Sequence, residues 1–175
     1  MKQNIFVVSY NYALSKRIAA KLAESFSMRV FDQRELFDFD NTPNTLPGVY
    51  SIYGREYVLK QFKGILKEEL EFSDSVFVSD ISFADNCFDL FYKIKLNNFV
   101  VFLFKDIDAE LVELGKIKYK SLAEKDFYKC DKSLLESRER LIKTDCADIG
   151  VDITGLSDDE IASKVVDMMQ KFYEN

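Results

Sequence analysis

A chain of 175 residues with 47% hydrophobic and 31% charged side chains has a globular composition and the length for one hydrophobic core. It contains no histidine, which excludes serine–histidine and cysteine–histidine nucleophiles and histidine-bound metals, so any chemistry must come from carboxylates, lysines, arginines or bound ions. With a net charge of −6 and lysines interspersed among acids, no nucleic-acid partner is expected.

The three cysteines, Cys87, Cys130 and Cys146, form no close C-x-x-C pair, which fits reduced thiols. Disulfides and thiolate zinc sites are not expected. Residues 99–104 are the longest apolar run, far short of the roughly 20 residues a membrane span needs, so no membrane partner is expected. At the start, Met1-Lys2-Gln3 leads only into residues 5–8 before polar residues return, which is no secretory signal. The expected location is the cytoplasm.

In chain order, residues 5–8 (IFVV) are β-branched and aromatic, as suits a strand buried on both faces. An abrupt polar turn follows. From Leu14 the apolar positions Leu14, Ile18, Leu22 and Phe26, flanked by Ala19 and Ala23, take helical spacing. Residues 28–31 read as a second strand ending in Asp32, with a short helix over 35–39. The segment 40–54 holds both prolines and two of the six glycines, so it is expected to be a loop or small irregular subdomain. Helical spacing resumes over 55–72 through Leu59, Phe62, Ile65, Leu66 and Leu70.

Residues 75–79 predict a third strand closed by Asp80, residues 83–94 a helix, and 99–104 a fourth, central strand. Residues 107–114 form a helix stopped by Gly115. Residues 116–129 are dense in lysine without a strong period and read as a mobile segment. Capping boxes, in which a serine and a glutamate satisfy free N–H groups at a helix start, are expected at Ser133–Glu136 and Ser157–Glu160. Between them, 149–153 is a fifth strand, and the last helix carries Ile161, Val165, Met168, Met169 and Phe172 on one face. Strands alternating with helices predict an α/β three-layer sandwich with a five-stranded parallel sheet, one domain over 1–175.

This order and spacing resembles the shikimate kinases, small P-loop kinases that phosphorylate a hydroxyl of shikimate with ATP and magnesium. The resemblance covers nearly the whole length. It rests on NIFVV running into a loop and helix, an acid after the second strand at Phe31-Asp32, a long helix after Gly54, the lysine-rich stretch, and Ala147-Asp148-Ile149 before the last helix. It implies a P-loop kinase-like fold, with 40–72 as a substrate-region insertion and 116–129 as a lid.

The same alignment shows a degenerate Walker A motif. Where the family has G-x-x-G-x-G-K-[ST], the glycine positions are Ser9, Tyr12 and Leu14, the lysine position is Ser15, and the magnesium-binding hydroxyl position is Lys16. Glycine reaches backbone conformations that cost other residues about 1–2 kcal/mol and lets phosphate approach the N–H groups; Tyr12 and Leu14 would fill that space. The family's D-x-D corresponds to Asp32-Gln33-Arg34, its glycine triplet to Asp80-Ile81-Ser82, and its substrate arginine after an aromatic to Val58. Two basic positions fare better: Lys120 resembles the lid arginine and Arg138 the late substrate arginine.

Each candidate has two readings. Ser15, Lys16 and Arg17 are a residual nucleotide-phosphate site at a helix N-terminus or a solvated first turn. Asp32 is a magnesium ligand or general base toward a hydroxyl, or a helix N-cap. Arg34, Asp80 and Arg138 are substrate contacts; Asp80 ends its strand in the manner of a Walker B acid, or is ordinary turn chemistry. Lys116, Lys118, Lys120 and Lys125 close over a nucleotide or are a solvated charge run. Tyr12, with Tyr50, Tyr53 and Tyr57, fills the old cleft or sits at a core margin. The leading expectation is a pseudoenzyme without a cofactor, serving a protein or small-molecule partner. The rival is a divergent kinase that still uses ATP and magnesium.

Overall fold

The five apolar runs become the five strands of one parallel sheet. The computed structural model describes residues 4–80, 88–119, 122, 125, 131–141, 143 and 146–174. The strands are β1 (Asn4–Ser9), β2 (Arg29–Asp32), β3 (Ser75–Asp80), β4 (Phe99–Phe104) and β5 (Ile149–Asp152), in the spatial order β2-β3-β1-β4-β5. All neighbouring pairs are parallel, with Val7 of β1 level with Val78 and Val101.

Strand alternation divides β1 between two cores, which is why it reads as continuously apolar. Ile5 and Val7 face α1 (Tyr12–Phe26) and α7 (Asp158–Glu174), joining Ile18, Leu22, Val101, Val165 and Met169. Phe6 and Val8 face the other layer, where Phe77, Val100 and Phe102 meet Leu66 of α3 (Leu46–Glu69) and Ile94 of α4 (Phe88–Asn97). The Phe6 and Phe77 rings stack there at 4.7 Å. Each fully buried side chain of this size contributes about 1.5–3 kcal/mol over its exposed state, so the two cores fix the three layers. At the strands' amino ends, the Asn4 amide ties the sheet together, donating to Phe72 O and Asn98 Oδ1 and accepting from Ser75 N–H.

The expected irregular segment 40–54 is a correction. After α2 (Gln33–Asp40), α3 already starts at Leu46 and continues to Glu69. Pro47 sits in its first turn, where the missing N–H would have had no intrahelical partner, and the Asp38 carboxylate accepts the Leu46 N–H at 2.7 Å. Gly54, at φ 79° and ψ 178°, leaves the helical region and divides α3 into two helical segments that meet at a kink. Phe37, Leu46, Val49, Val58, Phe62 and Ile65 form a third apolar cluster between α2 and α3.

The helix expected over 83–94 is α4, with residues 83–87 outside the described set. Helix α5 (Ile107–Leu114) stops at Gly115 as expected. Helix α6 (Lys132–Leu141) is capped by Asp131, whose Oδ1 accepts from Leu134 N–H at 2.9 Å, not by the expected box at Ser133. The aspartate two residues earlier is an equally good cap and lets the helix start sooner. At α7 the box forms as expected: Glu160 Oε2 accepts from Ser157 N–H and Oγ, and Ser157 Oγ faces Glu160 N–H. Among the described residues no helix is long and apolar enough to cross a membrane.

Candidate functional site

Open parallel α/β sheets bind ligands beyond the carboxyl ends of their strands, so the residues following β1, β2 and β3 are where a site belongs. The connection from β1 to α1 is short: only Tyr10 and Asn11 separate Ser9 from the first helical residue, Tyr12. Asn11 caps the helix. Its side chain accepts the Leu14 N–H at 3.1 Å and its carbonyl accepts the Ser15 N–H at 3.1 Å. Ser9 Oγ donates to Asn11 O at 2.7 Å and lies 2.8 Å from Ser15 Oγ, which therefore supplies the second proton. Both serines are buried.

Tyr12 is the first residue of α1. Its ring is half-buried against the α1-side core, and the Arg34 guanidinium lies 3.7 Å from its centroid, a close cation–π contact. Lys16, one turn on, points toward β2, with Nζ 2.8 Å from Asp32 Oδ2 and 2.6 Å from Glu35 Oε1. Asp32 uses its other oxygen to cap α2, accepting from Arg34 N–H at 2.9 Å and Glu35 N–H at 3.3 Å. Burial pushes the Asp32 carboxyl above its ordinary value, opposed by the N–H groups of Glu35 and Arg34.

The side chains of Ser15, Lys16 and Arg17 diverge. Successive helical residues turn by about 100°, so Ser15 points into the interior, Lys16 to the acids of β2 and α2, and Arg17 to α7. Arg17 Nε donates to Asp158 at 2.6 Å, and that hydrogen bond raises its pKa. Lys21 pairs with Asp159 next to it.

The remaining expected residues scatter. Asp80 ends β3 level with Ser9, with nothing described of its side chain. Lys120 lies outside the described residues. Arg138 is buried in α6, the helix whose Leu135 carbonyl accepts from Tyr10 OH at 3.0 Å. Tyr53 and Tyr57 do not fill a cleft: they are 57% and 37% exposed and stack on each other.

Three participants escaped the sequence reading. Asn11 precedes the periodic apolar run, the usual place of an N-cap. Asp32-Gln33-Arg34-Glu35 has the spacing of a capping box, which would have flagged Glu35. Nothing flagged Glu69, which reads as a solvated charge near a helix end yet is buried, one oxygen accepting from Gln33 Nε2 at 2.7 Å and the other without a partner among the described residues. Burial holds its carboxyl up at about 8.

On the β4–β5 side the strand ends open onto a polar depression of about 420 Å³. Asp106, Asp108, Glu136, Glu139 and Asp152 line it against Lys105 and Lys132, so its wall is acidic. Lys105 is also drawn off to Glu113, and that hydrogen bond holds the Glu113 carboxyl below its ordinary value.

No family model and no curated protein matches this sequence. Solved structures do match in shape. Shikimate kinase from Aquifex aeolicus superposes with a TM-score of 0.76 at 16% identity, covering 96% of each chain. Shikimate kinase from Bacteroides thetaiotaomicron gives 0.74 at 17% identity over 100% of both chains. A gluconokinase from Sinorhizobium meliloti gives 0.59 at 12% identity, over 99% of this chain and 95% of that one. The chain thus shares the fold of these small-molecule kinases. Its architecture is shikimate kinase-like, with the sheet order described above.

Proposed function

We propose that this protein keeps the shikimate kinase-like fold without nucleotide binding or phosphoryl transfer, and serves a non-catalytic binding or interaction role. The observation that carries the reading is the β1–α1 junction. Phosphoryl transfer rests on positioning and charge stabilisation, and a P-loop supplies both with converging N–H groups, a lysine and a metal-binding hydroxyl. Here the Leu14 and Ser15 N–H groups are already taken by Asn11, and the Arg34 guanidinium lies on the Tyr12 ring. At the magnesium-binding hydroxyl position, Lys16 offers an ammonium that cannot ligate a cation and is engaged by two acids.

Magnesium ATP does not fit this residue set. A triphosphate would also meet the acidic wall below β4 and β5. On this reading the α2–α3 region is the former substrate region, now packed around Phe37 and Phe62. Lys120, Arg34, Asp80 and Arg138 are then vestigial positions. The test is a coupled ADP-release assay with shikimate and other small alcohols. No turnover above buffer is expected, and turnover that Lys16→Ala abolishes overturns the proposal.

One observation favours a second reading. Lys16 and Asp32 lie 2.8 Å apart at the carboxyl end of β2, the pair a divergent kinase would need for phosphate and for a substrate hydroxyl or metal. The same assay separates the two readings.

A further inference from the structure

Around the break in α3 the chain exposes a run of side chains that its own fold does not use. Ser51, Ile52, Tyr53, Arg55, Glu56 and Tyr57 are all exposed, on both sides of Gly54. Ile52 is 62% exposed, and the Tyr53 and Tyr57 rings stand 4.7 Å apart with 30° between their planes. Two adjacent tyrosines held in one arrangement present a rigid apolar surface at small entropic cost, the kind of surface that interfaces favour.

The charges beside that surface point to its occupant. Arg55 and Glu56 are neighbours of opposite sign, and neither has a hydrogen-bond or ion-pair partner among the described residues. A partner of one charge sign would satisfy one of them and leave the other facing its like. A second copy related by a two-fold axis satisfies both, because each Arg55 then meets the other copy's Glu56.

We infer that this corner of α3 is a self-association surface, with the Tyr53–Tyr57 pair of one copy packed on that of the other and reciprocal Arg55–Glu56 contacts at the rim. Six exposed residues fall short of the roughly 20–30 a side of a standard stable interface, so the dimer dissociates on dilution. It stands independently of the nucleotide question, since none of these residues takes part in the β1–α1 junction.

Sedimentation of the full chain from about 1 μM to about 1 mM tests it. The expected mass rises from that of one 20.4 kDa chain toward that of two. Tyr53→Glu gives a monomer throughout. Arg55→Glu, which sets like charges opposite each other, weakens the dimer about tenfold or more, and adding Glu56→Arg restores it to within about threefold. All four positions changed or paired are exposed, so an unchanged circular dichroism spectrum and unfolding midpoint are the control. A wild-type chain that stays monomeric at the highest concentration overturns the inference. So does a dimer indifferent to Tyr53→Glu and Arg55→Glu, or a charge swap that fails to restore association.

Discussion

Lys16 and Asp32 hold each other in place, and the two ends of that pair are unequal. Lys16 is partly exposed, whereas Asp32 is nearly buried and also caps α2. Lys16→Ala is therefore expected to cost about 1 kcal/mol, the range of a partly solvated ion pair. Asp32→Ala loses the cap as well and costs about 2 kcal/mol. Urea unfolding of both variants checks the order; an equal or reversed pair of losses would show that the cap contributes little. Glu69 makes a prediction about pH. Its pKa is raised from 4.5 to about 8 by burial, so the folded state holds the proton more tightly than the unfolded chain. Stability is then greatest below the unfolded value and falls as pH rises from 4.5 to about 8. At about 1.4 kcal/mol per unit the loss is on the order of 4–5 kcal/mol, in the same sense as the raised Asp32. Glu69→Gln removes most of that slope. Unfolding midpoints at pH 5 and 8.5 read it directly, and a Gln variant with the wild-type slope would assign the effect elsewhere.

At the scale of elements, the β1–α1 junction and the break in α3 are the two places where local chemistry decides the outcome. Asn11 is a cap whose loss is expected to cost about 1 kcal/mol, so Asn11→Ala lowers the unfolding midpoint without opening a phosphate site. Gly54→Ala also destabilises by about 1 kcal/mol: nothing stands within 4 Å of an added Cβ, but φ of 79° is the left-handed region that alanine disfavours. A Gly54→Ala variant as stable as wild type would mean that α3 straightens through the break. These are also the elements where sequence and structure part. The strands were legible because β1 and β4 are apolar on both faces, and the last helix because its Ser157–Glu160 box opens a run with Ile161, Val165 and Met169 at helical spacing. The start of α3 was hidden, since Pro43 and Pro47 read as loop residues unless one of them is known to fall in a first turn. The start of α6 was misplaced because Asp131 and Ser133 are both acceptable caps.

Across the whole molecule, a fold shared with shikimate kinases survives at 16–17% identity because parallel strand order and two apolar cores demand pattern more than particular residues. The site is less forgiving. The absence of glycine between Ser9 and Lys16 was visible in the sequence, whereas the start of the helix at Tyr12 depends on Asn11 as a cap, which accepts the Leu14 N–H. The fates of Ser15, Lys16 and Arg17 were not readable either, since their partners Ser9, Asp32, Glu35 and Asp158 come from four other elements. The central claim is that no triphosphate can be cradled at this junction. Isothermal titration of magnesium ATP into the full-length chain tests it most directly: the account predicts no saturable heat up to about millimolar nucleotide, and a magnesium-dependent micromolar isotherm lost in Lys16→Ala would contradict it.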